Sequence, residues 1–135
     1  MIKEMPLAEC LCASVSIGLS LGGYIPLLHL ERFDFICHAT DAIVNHLSKL
    51  SLLSNGQHKP AVIILTAIGK RTVPLYSGPT HTQDFTNAIQ QMVSFPVRKL
   101  LWPTSIVGEF TMALERAQNH QSTMLVIDND LLETT

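Results

Sequence analysis

The sequence predicts a single α/β domain spanning residues 1–135, built as a three-layer, doubly wound, mostly parallel sheet. Three observations carry that prediction. Segments with helical spacing alternate along the chain with short apolar runs of strand length. One of those runs, Ala61 to Ile68 (AVIILTAI), is continuously apolar and rich in β-branched residues, the composition of a strand covered on both faces. The connections between runs are long enough to hold crossover helices, which in parallel sheets wind right-handed.

Each element follows in order. Pro6 suits a first helical turn, and Leu7 to Leu21 is apolar nearly all round, which predicts a helix buried on most of its sides. Gly22-Gly23 ends it, and Tyr24 to Leu30 (YIPLLHL) reads as a strand. Phe33 to Leu53 carries helical spacing through Ile36, Ala39, Ile43, Val44, Leu47 and Leu50, and Ser54-Asn55-Gly56 closes it with residues that tolerate a left-handed turn. After the Ala61 to Ile68 strand, Gly69 to Thr80 is a loop. Thr82 or Asp84 is placed to cap a helix running to Ser94. Arg98 to Trp102 is a short strand. Ser105 to His120 is an amphipathic helix with Val107, Phe110, Ala113, Leu114 and Ala117 on one face, and Thr123 to Ile127 is the last strand.

Composition narrows the function. The chain is 47% hydrophobic and 15% charged, with 9 Lys+Arg against 11 Asp+Glu. Disorder is excluded, and there is no basic excess with which to grip a phosphate backbone, so nucleic acid is not an expected partner. So low a charge content implies that part of the surface meets another chain, as in an obligate hetero-oligomer or homo-oligomer. Cys10, Cys12 and Cys37 form no C-x-x-C pair and have no zinc-ligand spacing, and a reducing, cytoplasmic setting fits. The uncharged stretch from Cys10 to Leu30 is long enough to cross a bilayer, but Gly22, Gly23 and Pro26 interrupt it. Lys3 is followed at once by Glu4, unlike the basic leader of a signal peptide, and neither a membrane segment nor a signal is expected.

Ligands of such sheets bind beyond the carboxyl ends of the strands, which here are the loops Glu31 to Phe35 and Gly69 to His81. The second is long for a compact domain and rich in Gly, Pro and Thr. Its Lys70-Arg71 pair reads as solvated charge, with an anionic substrate as the alternative. Glu9 stands apart as a carboxylate at the start of an otherwise apolar helix, where a buried acid must be paired or neutral. On its own it reads first as an acid answering the helix dipole. His29, His38, His46, His58 and His120 show no ligand spacing.

Taken together, Met5-Pro6-Leu7-Ala8-Glu9, Gly18, Gly23, Pro26, Phe33-Asp34-Phe35 and Asp41-Ala42-Ile43-Val44-Asn45 resemble the pyrimidine-binding domain of thiamine-diphosphate enzymes. The resemblance is strongest to the beta subunit of the 2-oxo acid dehydrogenase decarboxylating component, in the transketolase-like superfamily. It continues through Ser54-Asn55-Gly56-Gln57, Gly78-Pro79-Thr80-His81-Thr82-Gln83, Pro103-Thr104-Ser105 and Asp128-Asn129-Asp130-Leu131-Leu132, and so covers nearly the whole chain.

That resemblance implies roles for three residues. Glu9 is similar to the family's catalytic glutamate, which hydrogen-bonds the aminopyrimidine ring nitrogen, a task that suits a carboxyl in apolar surroundings, where desolvation favours the protonated form. Phe35 resembles the aromatic residue that packs on the pyrimidine face, and His81 the histidine that reaches the substrate and exchanges protons near neutral pH. The implied cofactors are thiamine diphosphate and Mg2+, with diphosphate and metal held by an alpha-type partner chain. The implied reaction is 2-oxo acid decarboxylation, dehydrogenation or ketol transfer.

The pattern also has gaps. The family's opening strand and helix are not seen ahead of Glu9, which predicts an exposed sheet edge; its C-terminal domain and its diphosphate-binding half are not seen either. Asn119-His120-Gln121 does not keep the cation-site pattern of some relatives, so no metal is expected in this chain, and Leu11 and Ser14 stand where relatives often carry glycine for close helix contact. Two further readings follow: a non-catalytic structural or regulatory subunit of the same fold, and an unrelated flavodoxin-like binding domain.

Overall fold

A computed structural model describes residues 2–72 and 76–132. Residues 73–75, within the Gly69 to His81 loop, lie outside the described residues.

Among the described residues, four strands form one all-parallel sheet: β1 (Leu27–Leu30), β2 (Ile63–Ile68), β3 (Val97–Leu100) and β4 (Thr123–Asp128), in the order β1-β2-β4-β3. Strand β2 runs in register with β1 from Leu27 opposite Ile63 and with β4 from Ile63 opposite Thr123. The connections β1 to β2 and β2 to β3 move forward along the sheet, whereas β3 to β4 steps back. Right-handed crossovers therefore send the last connecting helix to the opposite face.

The side chains sort accordingly. Ile64 and Ile68 of β2 and Met124 and Val126 of β4 join a core with α1 (Glu9–Leu21), α2 (Ile36–Asp41) and α4 (Thr86–Met92). Their neighbours Ile63 and Leu125 point the other way, toward Ala113 and Ala117 of α5 (Ile106–Gln118). This is the three-layer α/β arrangement predicted from the alternation of elements.

Several local differences have physical causes. Strand β1 begins after Pro26, whose carbonyl accepts the Ile63 N–H at 3.0 Å while its own nitrogen has no hydrogen to give. The helical run after Phe33 is not uniform: a 3-10 turn over Phe33–Phe35 leads into α2, then a π-helical turn over Ala42–Leu47, and finally α3 (Leu50–Leu53). Ser48 N donates to Ile43 O five residues back at 3.0 Å, the bond that widens the turn. Helix α4 starts at Thr86, where the Asp84 carboxylate accepts the Thr86 N–H at 3.0 Å. On α5 the stripe against the sheet is Ile106, Phe110, Ala113 and Ala117, and Val107 is 77% exposed. The final turn, α6 (Asn129–Leu132), follows β4 directly.

Helix α1 departs most from expectation. Only Ala13, Ser16 and Ile17 are buried, against α2 and the π-helical turn, while Leu11, Val15 and Leu19 stand exposed because none of the described elements covers their side. The uncharged stretch from Cys10 to Leu30 divides into α1, a turn at Gly22-Gly23 and β1, and among the described residues no helix is long and apolar enough to cross a membrane. The edges of the sheet are β1 and β3, and on β1 Leu27 and His29 are exposed.

Candidate functional site

The start of α1 meets the 3-10 turn and the head of α2 around one concavity. Leu7, Ala8, Glu9 and Cys10 line one side and Phe35 and His38 the other, enclosing about 350 Å³. Glu9 is half-buried in its wall, not sunk in the core as an acid in a fully covered helix would be. Among the described residues, no hydrogen bond or ion pair engages its carboxylate.

Phe35 connects this concavity to the long loop. Its ring meets His81 edge-on, with centroids 5.5 Å apart and planes at 86°, and sits 6.4 Å from the His38 ring on its own helix. Glu9 and Phe35 thus share one pocket, and His81 reaches it through Phe35 without lining it.

Backbone contacts hold His81 in place. Gly69 at the end of β2 donates its N–H to the His81 carbonyl at 2.9 Å, and a Cβ on Gly69 would lie 2.1 Å from that oxygen, so only glycine fits without displacement. The His81 N–H and the Thr82 hydroxyl both donate to Gly78 O at 3.1 Å, and Gly78 itself sits at φ 89°, a left-handed conformation that favours glycine. Thr80 Oγ1 and His81 Nδ1 are 2.9 Å apart.

Next to Phe35, Asp34 joins the two loops. It is buried, and its Oδ1 accepts from Gln83 Nε2 at 2.9 Å and Gln83 N at 3.3 Å. Its Oδ2 is buried with no hydrogen-bond partner among the described residues. Phe33 packs edge-on against Phe85, centroids 5.9 Å apart, beneath the same junction.

A larger concavity of about 580 Å³ lies near Ser48, Lys49, Asn55 and Ser94. Its only charged group, Lys49, already donates to Asn45 Oδ1 at 2.8 Å, and it holds no acid or aromatic ring. The smaller pocket has the better chemistry, because it combines a disengaged carboxylate, an aromatic face and an imidazole within one ring contact.

Sequence reasoning passed over His38 and Cys10 as pocket residues. His38 lies three positions from Phe35 on a helical stretch, which puts both on one face. Arg71 also differs from expectation: it is not solvated loop charge but an ion-pair partner of Asp128 and Asp130.

No family model matches the chain. It is similar to the pyruvate dehydrogenase E1 component subunit beta, mitochondrial, of Saccharomyces cerevisiae: 25% identical over 131 residues, 97% of this chain and 34% of the relative. The chain therefore spans about a third of that relative's length.

Proposed function

We propose that this chain is the pyrimidine-side module of a split thiamine-diphosphate-dependent enzyme acting on 2-oxo acids or ketoses, its site completed by an alpha-type chain that brings the diphosphate-binding half and Mg2+. One observation carries this: Glu9 and Phe35 line the same concavity, and the Glu9 carboxylate has no partner among the described residues. The similarity to a pyruvate dehydrogenase beta subunit over nearly the whole chain supports it, as does the exposed apolar side of α1, which suits burial against a second polypeptide.

The residues present fit an aminopyrimidine. When bound, thiamine diphosphate supplies a nucleophilic carbon that adds to a ketone carbonyl and accepts the charge released there. In this role Glu9 holds a proton at its carboxyl oxygen against the ring nitrogen, with Leu7 and Ala8 beside it in the pocket wall. Phe35 packs on the ring and fixes its plane. His81, edge-on to Phe35, gives or takes a proton on the substrate side.

The test is reconstitution with an alpha-type chain, thiamine diphosphate and magnesium. Turnover of a 2-oxo acid or ketose phosphate is expected, and Glu9→Gln should lower kcat by about 10²–10⁴-fold, the usual worth of a positioned proton-transfer group, with the complex intact. Undiminished turnover by Glu9→Gln contradicts the assignment. A complex that assembles and turns over neither substrate class supports a structural or regulatory subunit instead.

A further inference from the structure

Five charged side chains meet at the carboxyl ends of β2, β3 and β4. Asp128, the last residue of β4, has a side chain only 1% exposed. Both of its oxygens accept from Arg71 Nη2, at 2.7 and 2.8 Å, and Lys99 Nζ reaches it at 2.8 Å. Arg71 also gives its Nε to Asp130 at 2.8 Å and its backbone N–H to the same carboxylate at 3.1 Å. Lys99 in turn reaches Asp84 at 2.9 Å.

These ties fall on both sides of His81. Arg71 lies on the limb leaving β2, which is bound to the returning limb by Gly69 N to His81 O at 2.9 Å and Ser77 N to Lys70 O at 3.1 Å. Asp84 lies on the other side, where the chain turns into α4. One buried carboxylate thus receives the preceding limb directly and the following limb through Lys99. Burial alone would lower the Lys99 pKa, yet the bonds from Asp128 and Asp84 hold it above the ordinary lysine value, so the link carries charge at neutral pH.

We infer that Asp128 is a positioning residue for His81: by gripping Arg71 and, through Lys99, Asp84, it sets the segment on which the imidazole meets the Phe35 ring. The functional meaning rests on the site proposed above, but the claim concerns geometry that exists without cofactor. A charge buried in this way leaves Arg71 and Lys99 without their common partner when it is removed, and both limbs are then free to shift.

The experiment is carbon–proton NMR of the full chain in the absence of cofactor. The His81 imidazole signals, identified by their loss in His81→Gln, should be displaced by the Phe35 ring current, and Phe35→Leu marks their position without it. Asp128→Asn is expected to move them most of the way to that position at a temperature where the variant stays folded. Val126→Ala, a substitution of an equally buried β4 residue outside the ion-pair cluster, should leave them in place. Arg71→Gln, which removes one tie at a partly exposed side chain, should move them part of the way and decides the matter if Asp128→Asn does not fold. Unmoved His81 signals in the folded variant, or equal displacement by Val126→Ala, overturn the inference. Neither result bears on Glu9 and cofactor binding, and a failure of cofactor binding does not bear on the His81 shift.

Discussion

Two helices of equal length, 13 residues each, flank this sheet and finish their surfaces differently. Helix α5 presents Ile106, Phe110, Ala113 and Ala117 to the strands, sets Glu109 beside them where Arg98 of β3 reaches it at 3.0 Å, and turns Glu115 to the exposed side. It has a complete core stripe. Helix α1 has no charge after Glu9, buries only three residues and leaves Leu11 48% exposed. Its composition is that of a helix covered on both sides, and the described residues cover one. The difference places the uncovered surface beside the Glu9 pocket, on the side that the proposed partner chain would occupy.

Substitutions on the two helices sharpen or break that contrast. Ala113→Asp puts an unpaired charge at a fully buried position of α5 and should cost about 3–5 kcal/mol, enough to unfold much of the chain, as read by urea denaturation. On α1, Leu11→Glu should change the stability of the chain alone by no more than about 1 kcal/mol, yet weaken assembly with an alpha-type chain at least tenfold, or about 1.4 kcal/mol, by titration calorimetry. If Leu11→Glu unfolds the isolated chain, α1 is an ordinary core helix and the contrast fails. Val107→Glu, at a position of α5 that is 77% exposed, should shift stability by only about 0.5 kcal/mol and leave assembly unchanged.

The last expected effect is in pH. Burial pushes the Asp84 carboxyl up, but hydrogen bonds from Thr86 and Lys99 overcome it and hold its pKa below the ordinary value. Its contribution is therefore present above the unfolded value of about 3.9 and lost as pH falls through the lower folded one. Lys99, raised in the fold, has the opposite sign: its contribution is present below about 10.4 and lost as pH rises through the higher folded value. Stability should be flat between these limits, and Asp84→Asn should flatten the acid limb by about 0.2–1 kcal/mol, since the pair is partly exposed. Urea midpoints measured across the acid range check this.

Much of the fold could be read from the sequence because its signals are local. The β-branched run ending at Ile68 and the glycines after α1 mark elements without reference to the rest of the chain. The facing of α5 could not be fixed this way. Val107, Phe110 and Leu114 are as well spaced as Ile106, Phe110 and Ala113, and only the sheet decides between them. The exposure of α1 was hidden for a related reason, since apolar spacing says that a face is covered but not by which chain. In the site, Glu9, Phe35 and His81 came from motif resemblance, and the structure puts the first two in one pocket and the third against Phe35. The Arg71 to Asp128 tie spans 57 positions, and no local pattern announces a contact across that distance.

The assignment of Glu9 and Phe35 to the aminopyrimidine ring is tested most directly by intermolecular nuclear Overhauser effects in the complex with an alpha-type chain, thiamine diphosphate and magnesium. The expected result is contact between the pyrimidine methyl protons and the Phe35 ring, lost in Phe35→Leu. Bound cofactor showing no pyrimidine contact to Phe35 would contradict it.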